Sequence, residues 1–524
     1  MTAATRRVSQ LDFPFFNHPI KSFLIIKNTM KKQVTYAVVA ATFLMWNCKP
    51  TEIDNAATPT STVKHSSARI EAPPKQWDRT LGGFGIDILT VAVNNPAGGY
   101  IFGGNSNSPG SAITPFNDKS EAYGGNDYWV VKLTSDGTKS YARAMGSAGE
   151  DLLASIVPLS DGTMLLGGSS NSPFMSPNKT QGSKGGYDYW IVKVDGNGNK
   201  VWDKVLGGTN EDHLTSMVAT DDGGFLVGGI SASQATIVPL PSGNPLGGIG
   251  SFQTQPTSDK SMNSCNGSYD YWIVKVDGNG KKQWDITLGN GGNDYLESVV
   301  KATDGGYLLA GYSSSQGAAG NKTAAGKGGY DYWVVKIDAN GNKQWEKTFG
   351  GTQDDKLAKA AATPDGGFVL GGSSSSPAGA DKTEGLRGIA GHNDYWVVKI
   401  DANGNKLWDK TVGAGGDDTF KSLAVTADGG VWLGGDSPSA PSGEKIEMPK
   451  GGGDYWILKL EADGSYQWQD KTLGGAYTDG LADMLTTPDG GIIAAGSSQS
   501  QPGGTSDKSE RPKGILDYWV VKLK

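Results

Sequence analysis

From Gln76 onward, hydrophobic and polar positions alternate in short runs, and each run is closed by glycine, asparagine or aspartate. The stretch from Asp212 to Leu288 shows the unit. Asp212 to Val218 (DHLTSMV) is a first strand, and Asp222-Gly223-Gly224 is a tight turn in which glycine supplies positive φ. Phe225 to Gly229 (FLVGG) is a second strand, followed by a long Ser/Gly/Pro loop. Asp270 to Val276 (DYWIVKV) is a third strand, rich in β-branched and aromatic residues. Asp277 to Gly280 forms a hairpin turn, and Gln283 to Leu288 (QWDITL) is a fourth strand. No sustained 3.6-residue period interrupts the series, so helices are not expected.

The unit recurs. The tripeptide DYW begins at Asp127, Asp188, Asp270, Asp331, Asp394, Asp454 and Asp517, at intervals of 61, 82, 61, 63, 60 and 63 residues. A second tryptophan follows five of them, at Trp202, Trp284, Trp345, Trp408 and Trp468, and Tyr141 replaces it after the first. Four strands per repeat of this length is the pattern of a propeller blade. The order is also permuted. The chain ends in a third strand, Asp517 to Lys524, while an unpaired fourth strand, Gln76 to Leu81 (QWDRTL), stands at the start of the repeats. Pairing of these two segments closes a ring and removes exposed strand edges, whereas an open solenoid needs polar caps. The expected fold is an all-β, seven-bladed β-propeller of four-stranded blades over residues 76–524, closed by the N-terminal outer strand against the C-terminal strand.

The GG-x-x-x-D start of each unit, its D-G-G or D-G-N turn and its aromatic third strand resemble the SBBP-like repeats of bacterial exported β-propeller proteins, over Gln76 to Lys524. The tryptophan-bearing fourth strand after a D-x-x-G turn is also similar to the propeller repeats of pyrroloquinoline quinone-type proteins. Both resemblances bear on fold more than function, because such scaffolds host many activities.

Ahead of the repeats, Met30 to Cys48 reads MKKQVTYAVVAATFLMWNC. Lys31 and Lys32 form a basic start, and Val34 to Trp46 is a mostly apolar run of 13 residues. A bilayer span needs about 20 residues, so the run suits a signal-peptide core. It ends near Cys48 and is followed by a polar linker over 49–75. This resembles a bacterial lipoprotein signal, which implies lipidation of Cys48, an envelope location and an outer-membrane anchor on either side of that membrane. Leu44 and Met45 match the apolar positions of the cleavage box, while Trp46 and Asn47 depart from its small residues. Simple secretion or a signal anchor are the alternatives. Residues 1–29 precede the signal and read either as a non-native extension, with Met30 as the start, or as a long n-region.

Composition narrows the classes. Glycine numbers 78 of 524 residues, about twice the usual share, as many turns require. The formal net charge is −7 with no basic stripe, which argues against nucleic acid as a partner. Two cysteines, Cys48 and Cys265, exclude a disulfide scaffold. No spaced metal motif, nucleophile elbow or cofactor signature stands out, so no metal or cofactor is implied, catalysis is not expected, and a monomer is the simplest state. The Asp195-Gly196-Asn197-Gly198-Asn199 turn alternates oxygen ligands as calcium loops do, but it lacks the closing glutamate and reads as a hairpin turn.

With this strand order the short turns lie on one face. The long second-to-third loops and the fourth-to-first turns lie on the other, and the functional expectation falls there. Each long loop carries a lysine, Lys119, Lys179, Lys260, Lys322, Lys382, Lys445 or Lys508. Each first strand begins with an aspartate, Asp87, Asp151, Asp212, Asp294, Asp355, Asp418 or Asp479. These sets read as scaffold, since they repeat in every blade, or as a charged ring for a ligand. Departures from the repeat are the sharper candidates. They are the loop from Ile230 to Tyr269 with Phe252, Met262 and Cys265, then Phe116, Phe174 and Met175 in neighbouring loops, and the isolated His392. The ligand-contacting set expected is Phe116, Phe174, Met175, Phe252 and Met262 with Lys179, Lys260, Lys322 and Lys382. The function expected is an exported, lipid-anchored binding module for a glycan or protein ligand. An outer-membrane assembly scaffold or a polysaccharide-active enzyme is the alternative.

Overall fold

The computed structural model describes residues 71–110, 117–235, 258–263, 269–317, 320–467 and 469–524. These residues form seven antiparallel four-stranded sheets, and no helix occurs among them. Blade 1 runs from Asp87 to Met145, blade 2 from Asp151 to Leu206, blade 3 from Asp212 to Leu288 and blade 4 from Asp294 to Phe349. Blade 5 runs from Asp355 to Val412 and blade 6 from Thr419 to Leu473, and blade 7 joins Asp479–Leu523 to the initial strand Lys75–Leu81. The first strand of each blade is innermost and meets the first strands of both neighbouring blades, from blade 1 round to blade 7 and back.

The strands fall where the alternation places them. In blade 3 they are Asp212–Ala219, Phe225–Ser231, Asp270–Val276 and Lys282–Leu288. The ring closes as the permuted order requires: Lys75–Leu81 pairs antiparallel with Asp517–Leu523, Trp77 opposite Lys522 and Leu81 opposite Tyr518.

DYW is the device that joins blades. Its tyrosine is fully buried, and the hydroxyl donates to the carbonyl of the DYW tryptophan in the next blade at 2.9–3.2 Å, seven times over. The last bond, Tyr518 to Trp129, crosses the closure. Each tyrosine ring also lies 4.6–5.0 Å from that tryptophan ring. The indole N–H donates back to an acidic residue of its own outer strand, as in Trp333 to Glu346 at 3.1 Å and Trp519 to Asp78 at 3.1 Å. Blade 1 has Ala142 at that position, and the buried Trp129 indole has no hydrogen-bond partner among the described residues.

The second tryptophan makes a further ring at the outer edge. Trp284 covers the turn glycine of the next blade, Gly341, whose φ is 88° and where a Cβ would stand 2.9 Å from the indole. Trp77, Trp202, Trp345 and Trp408 treat Gly137, Gly280, Gly404 and Gly464 in the same way, and Tyr141 stands over Gly198. Blade 6 departs: its outer strand is cut to Lys471–Leu473, because the segment from Gly464 to Leu473 is one residue longer than Gly341 to Phe349 in blade 4. Its tryptophan, Trp468, lies outside the described residues.

Candidate functional site

The lysine motif of the long loops is explained by three separate contacts. The residue before the lysine exchanges hydrogen bonds with the exit glycine of the preceding blade, as in Asp118 N–H to the Gly82 carbonyl at 2.8 Å and Gly82 N–H to the Asp118 carboxylate at 3.2 Å. The N–H of the residue after the lysine binds the outer-strand carboxylate, as in Thr180 to Asp203 and Thr383 to Asp409. The lysine itself turns inward.

Lys179, Lys260, Lys322 and Lys382, candidates for ligand contact by sequence, are therefore at most 4% exposed. A buried ammonium must find acceptors, and these do. Lys179 Nζ donates to Ser170 Oγ, the Ser172 carbonyl and Ser183 Oγ at 2.6–2.9 Å, and Lys382 Nζ to Ser374 Oγ and the Ser376 carbonyl at 2.9–3.0 Å. Lys322 Nζ holds the Ser315 and Ala324 carbonyls, and Lys260 Nζ holds Ser231 Oγ. Their ammonium groups face the blade interior, not solvent. Lys119 does the same through the DYW carboxylate of Asp127 at 3.0 Å.

The repeated aspartates are also internal. The first-strand Asp accepts the N–H four residues earlier and a serine hydroxyl, as Asp212 does from Gly208 and Ser233. The DYW Asp accepts a loop N–H and crowds the exit glycine, where a Cβ at Gly207 would lie 1.7 Å from Asp188 Oδ1. Burial pushes the Asp188 carboxyl up to about 7, and Asp331, Asp394 and Asp517 up to about 6. A carboxyl raised on folding favours the folded state below its ordinary value near 3.8 and loses that contribution as pH rises through the folded value. Asp222, held down to about 2 chiefly by the Lys275 hydrogen bond, and Asp365, where desolvation is overcome only by the bonds from Lys399, Thr363 and Gly367 together and which also falls to about 2, act only below that window. Thermal stability is therefore expected to be higher near about pH 5 than near about pH 8. Calorimetry at constant ionic strength checks this, and Asp188→Asn should flatten the dependence.

Departures from sevenfold symmetry gather around the central channel on the long-loop face. In five blades the sixth residue of the second strand accepts the N–H of the next inner strand: Asn105 from Leu153, Ser169 from Leu214, Ser373 from Phe420, Asp436 from Leu481 and Ser497 from Leu89. Blades 3 and 4 have Ile230 and Tyr312 there. A cavity of about 490 Å³ opens beside Tyr312, between the inner strands of blades 4, 5 and 6. Its walls include Glu297, Tyr312, Lys356, Ser375, Phe420 and Lys421. Among the described residues no hydrogen bond or ion pair engages the Glu297 carboxyl, and burial pushes it up to about 8, so it holds its proton at neutral pH and can donate to a ligand. Nearby, burial also raises Asp436 to about 6. Elsewhere along the channel wall Lys359 pairs with Asp483 at 3.2 Å, and Asp483 also accepts from Ser422 and from Ala92 N–H of blade 1.

A band of tyrosines adjoins this cavity. Tyr295 stacks on Tyr312 at 5.1 Å, Tyr330 meets Tyr312 edge-on at 5.3 Å, and Tyr269 stands 5.8 Å from Tyr295. Lys356 lies over the Tyr330 ring at 4.8 Å and pairs with Asp354 at 2.8 Å. Tyr187 and His213 make a separate contact at 4.9 Å, with Glu211 3.4 Å from the imidazole. The sequence reading passed over these residues. Their signal is that Tyr187, Tyr269 and Tyr330 precede DYW where other blades have Asn126, Asn393, Gly453 or Leu516.

Of the other candidates, Phe174 and Met175 are 68% and 74% exposed on the blade 2 loop and Met262 is 50% exposed on the blade 3 loop. None of the three lines the cavity. Phe116, Phe252, Cys265 and Cys48, with most of the 230–269 loop, lie outside the described residues. The Asp195 turn satisfies itself: Asp195 accepts from Asn197 N–H, Asn199 N–H and the Asn199 amide at 2.9 Å. Among the described residues no group of three His, Cys, Asp or Glu side chains is placed to hold a metal ion.

The chain is thus a seven-bladed β-propeller with one asymmetric mouth on its long-loop face. No family model matches it. It is 24% identical over 506 residues to the regulatory protein FlaEY of Caulobacter vibrioides, covering 88% of this chain and 48% of that protein, so the chain spans about half the length of this curated relative. Among solved structures it resembles the Pan2 WD40 domain of Neurospora crassa, at 8% identity and a TM-score of 0.43, covering 86% of this chain and 97% of the other. It also resembles BamB of Moraxella catarrhalis, at 12% identity and a TM-score of 0.36, covering 86% and 100%.

Proposed function

We propose that this protein is an exported, lipid-anchored β-propeller that acts as a binding module, with its ligand docking at the channel mouth on the long-loop face. One observation carries the binding site. The charges that repeat in every blade are held inside the scaffold, while the groups that break the repeat, Glu297, Tyr312, Lys356 and Lys421, meet around one cavity, with Tyr295 stacked on Tyr312 beside it. A concave site with few convergent polar groups and a carboxyl of shifted affinity for protons is the usual form of a ligand site. Export and anchoring rest on the basic start, apolar run and cysteine of Met30 to Cys48.

Two measurements test the proposal. Labelled palmitate fed to an expressing bacterium should enter the wild-type chain and not Cys48→Ser, and equal labelling would remove the anchor. Immobilised protein should retain a component of fractionated cell-envelope polysaccharides and proteins. Ala358→Trp, which fills the cavity, should abolish that retention. Undiminished retention by a folded Ala358→Trp variant would overturn the mouth as the site.

A further inference from the structure

The tyrosine band has no duty in the scaffold. At the second position of the inner strand, Tyr295 stands where other blades carry Ile88, Leu152, His213, Lys356, Thr419 and Gly480. At the sixth position of the second strand, Tyr312 displaces a residue type that elsewhere ties neighbouring blades together. Five blades fold without an aromatic ring at either place, blade 3 has only the His213 imidazole at the first of them, and blade 4 forgoes an inter-blade hydrogen bond to carry a tyrosine at both. The rings of Tyr269, Tyr295, Tyr312 and Tyr330 are only half-buried and run as a contiguous band to the cavity that Glu297 lines.

The chemistry of this surface selects among ligands. Half-exposed phenol rings offer flat apolar faces with polar edges. The facing charges are mixed: Lys356 is already paired with Asp354, and Lys421 has Asp436 in its field. A polyanion calls for a field of one sign, which this mouth lacks. A long apolar peptide side chain would leave the Glu297 carboxyl unpaired. A sugar chain fits each term, with ring C–H faces for the tyrosines and hydroxyls for the carboxyl and for Ser375.

We infer that the band of Tyr269, Tyr295, Tyr312 and Tyr330 and the adjoining cavity bind a neutral oligosaccharide, its pyranose faces stacked on the rings and one hydroxyl bonded to Glu297. The inference rests on the long-loop mouth being the binding face. Glu297 donates one hydrogen bond to the sugar, and the stacked rings supply most of the affinity.

The test uses protein beginning after Cys48, titrated calorimetrically with the hexaoses of β-1,4-glucan, β-1,3-glucan and β-1,4-xylan, and with hexagalacturonate as the charged counterpart. At least one neutral hexaose should bind, with affinity unchanged between low and high salt. Tyr295→Ala and Tyr330→Ala should each weaken it about tenfold, and Glu297→Ala should weaken it while Glu297→Gln, which still donates, keeps most of it. Tyr477→Ala, at an exposed tyrosine that lines neither the cavity nor the band, should change nothing, and circular dichroism confirms that each variant is folded. The inference is overturned if hexagalacturonate alone binds, if no hexaose binds, or if a neutral hexaose binds equally well to the folded Tyr295→Ala and Tyr330→Ala proteins. Should Ala358→Trp abolish envelope retention while no hexaose binds, the saccharide inference falls and the mouth stands. Should Ala358→Trp leave retention intact, the mouth falls first.

Discussion

Protein lacking residues 71–81 is expected to aggregate on expression or to unfold well below the full-length chain. The deleted strand is the fourth strand of blade 7 and is remote in sequence from the one it covers, Asp517–Leu523. Without it that strand becomes a bare edge, open to pairing with other chains. Leu81, 4% exposed, leaves a cluster that includes Tyr100, Trp129 and Tyr518, a loss of about 2–3 kcal/mol. Removal of Asp78 deprives the buried Trp519 indole of its acceptor, at about 1–3 kcal/mol, and releases the Ser509 N–H on the exposed loop. Together these amount to about 3–6 kcal/mol, against a typical total of about 5–15. Size-exclusion chromatography and thermal melts decide it. A monomeric truncated protein with an unchanged melting temperature would mean that the ring does not depend on this closure.

The second large effect is expected from Trp333→Ala, which should lower stability by about 3–5 kcal/mol. The ring is fully buried, lies 4.6 Å from Tyr271 of blade 3 and donates to Glu346 at 3.1 Å. Its loss opens a cavity between two blades and strips the carboxylate of a donor. Tyr271→Phe, which removes only the 2.9 Å bond to the Trp333 carbonyl, should cost about 1 kcal/mol. A differential comparison sharpens the point. Trp129→Phe should cost less than Trp333→Phe, because the Trp129 indole N–H has no partner to lose. Chemical denaturation of the four variants provides the check, and equal costs for the two Trp→Phe changes would refute the role given to the outer-strand carboxylate.

The turn-bounded runs DYWIVKV and QWDITL placed strands to within a residue or two, because a short run rich in apolar, β-branched and aromatic residues is what a strand buried between two blades requires, and every residue of Asp270–Val276 is buried. The lysine loops were legible as a motif and not as a direction. N/D-K-S/T repeats whether its ammonium points to solvent or inward, and only the surrounding carbonyls and serine hydroxyls, from segments distant in sequence, show that Lys179 and Lys382 point inward. The tyrosines were harder. Tyr269, Tyr295, Tyr312 and Tyr330 occupy three different positions of the repeat, so aligning the units shows four unrelated substitutions where the fold makes one surface.

Strand content, the number of blades and the joining of the two chain ends all follow from local pattern and its count along the chain, because each blade repeats one solution to burying a sheet on both faces. The mouth is different in kind. Glu297, Lys356, Thr419 and Lys421 come from three blades and share a cavity only after the inner strands have curved into a ring. The shift of Glu297 arises from burial that no neighbour in sequence supplies. Repetition can be read in one dimension. The place where repetition is broken acquires a chemistry only when packing brings the exceptions side by side.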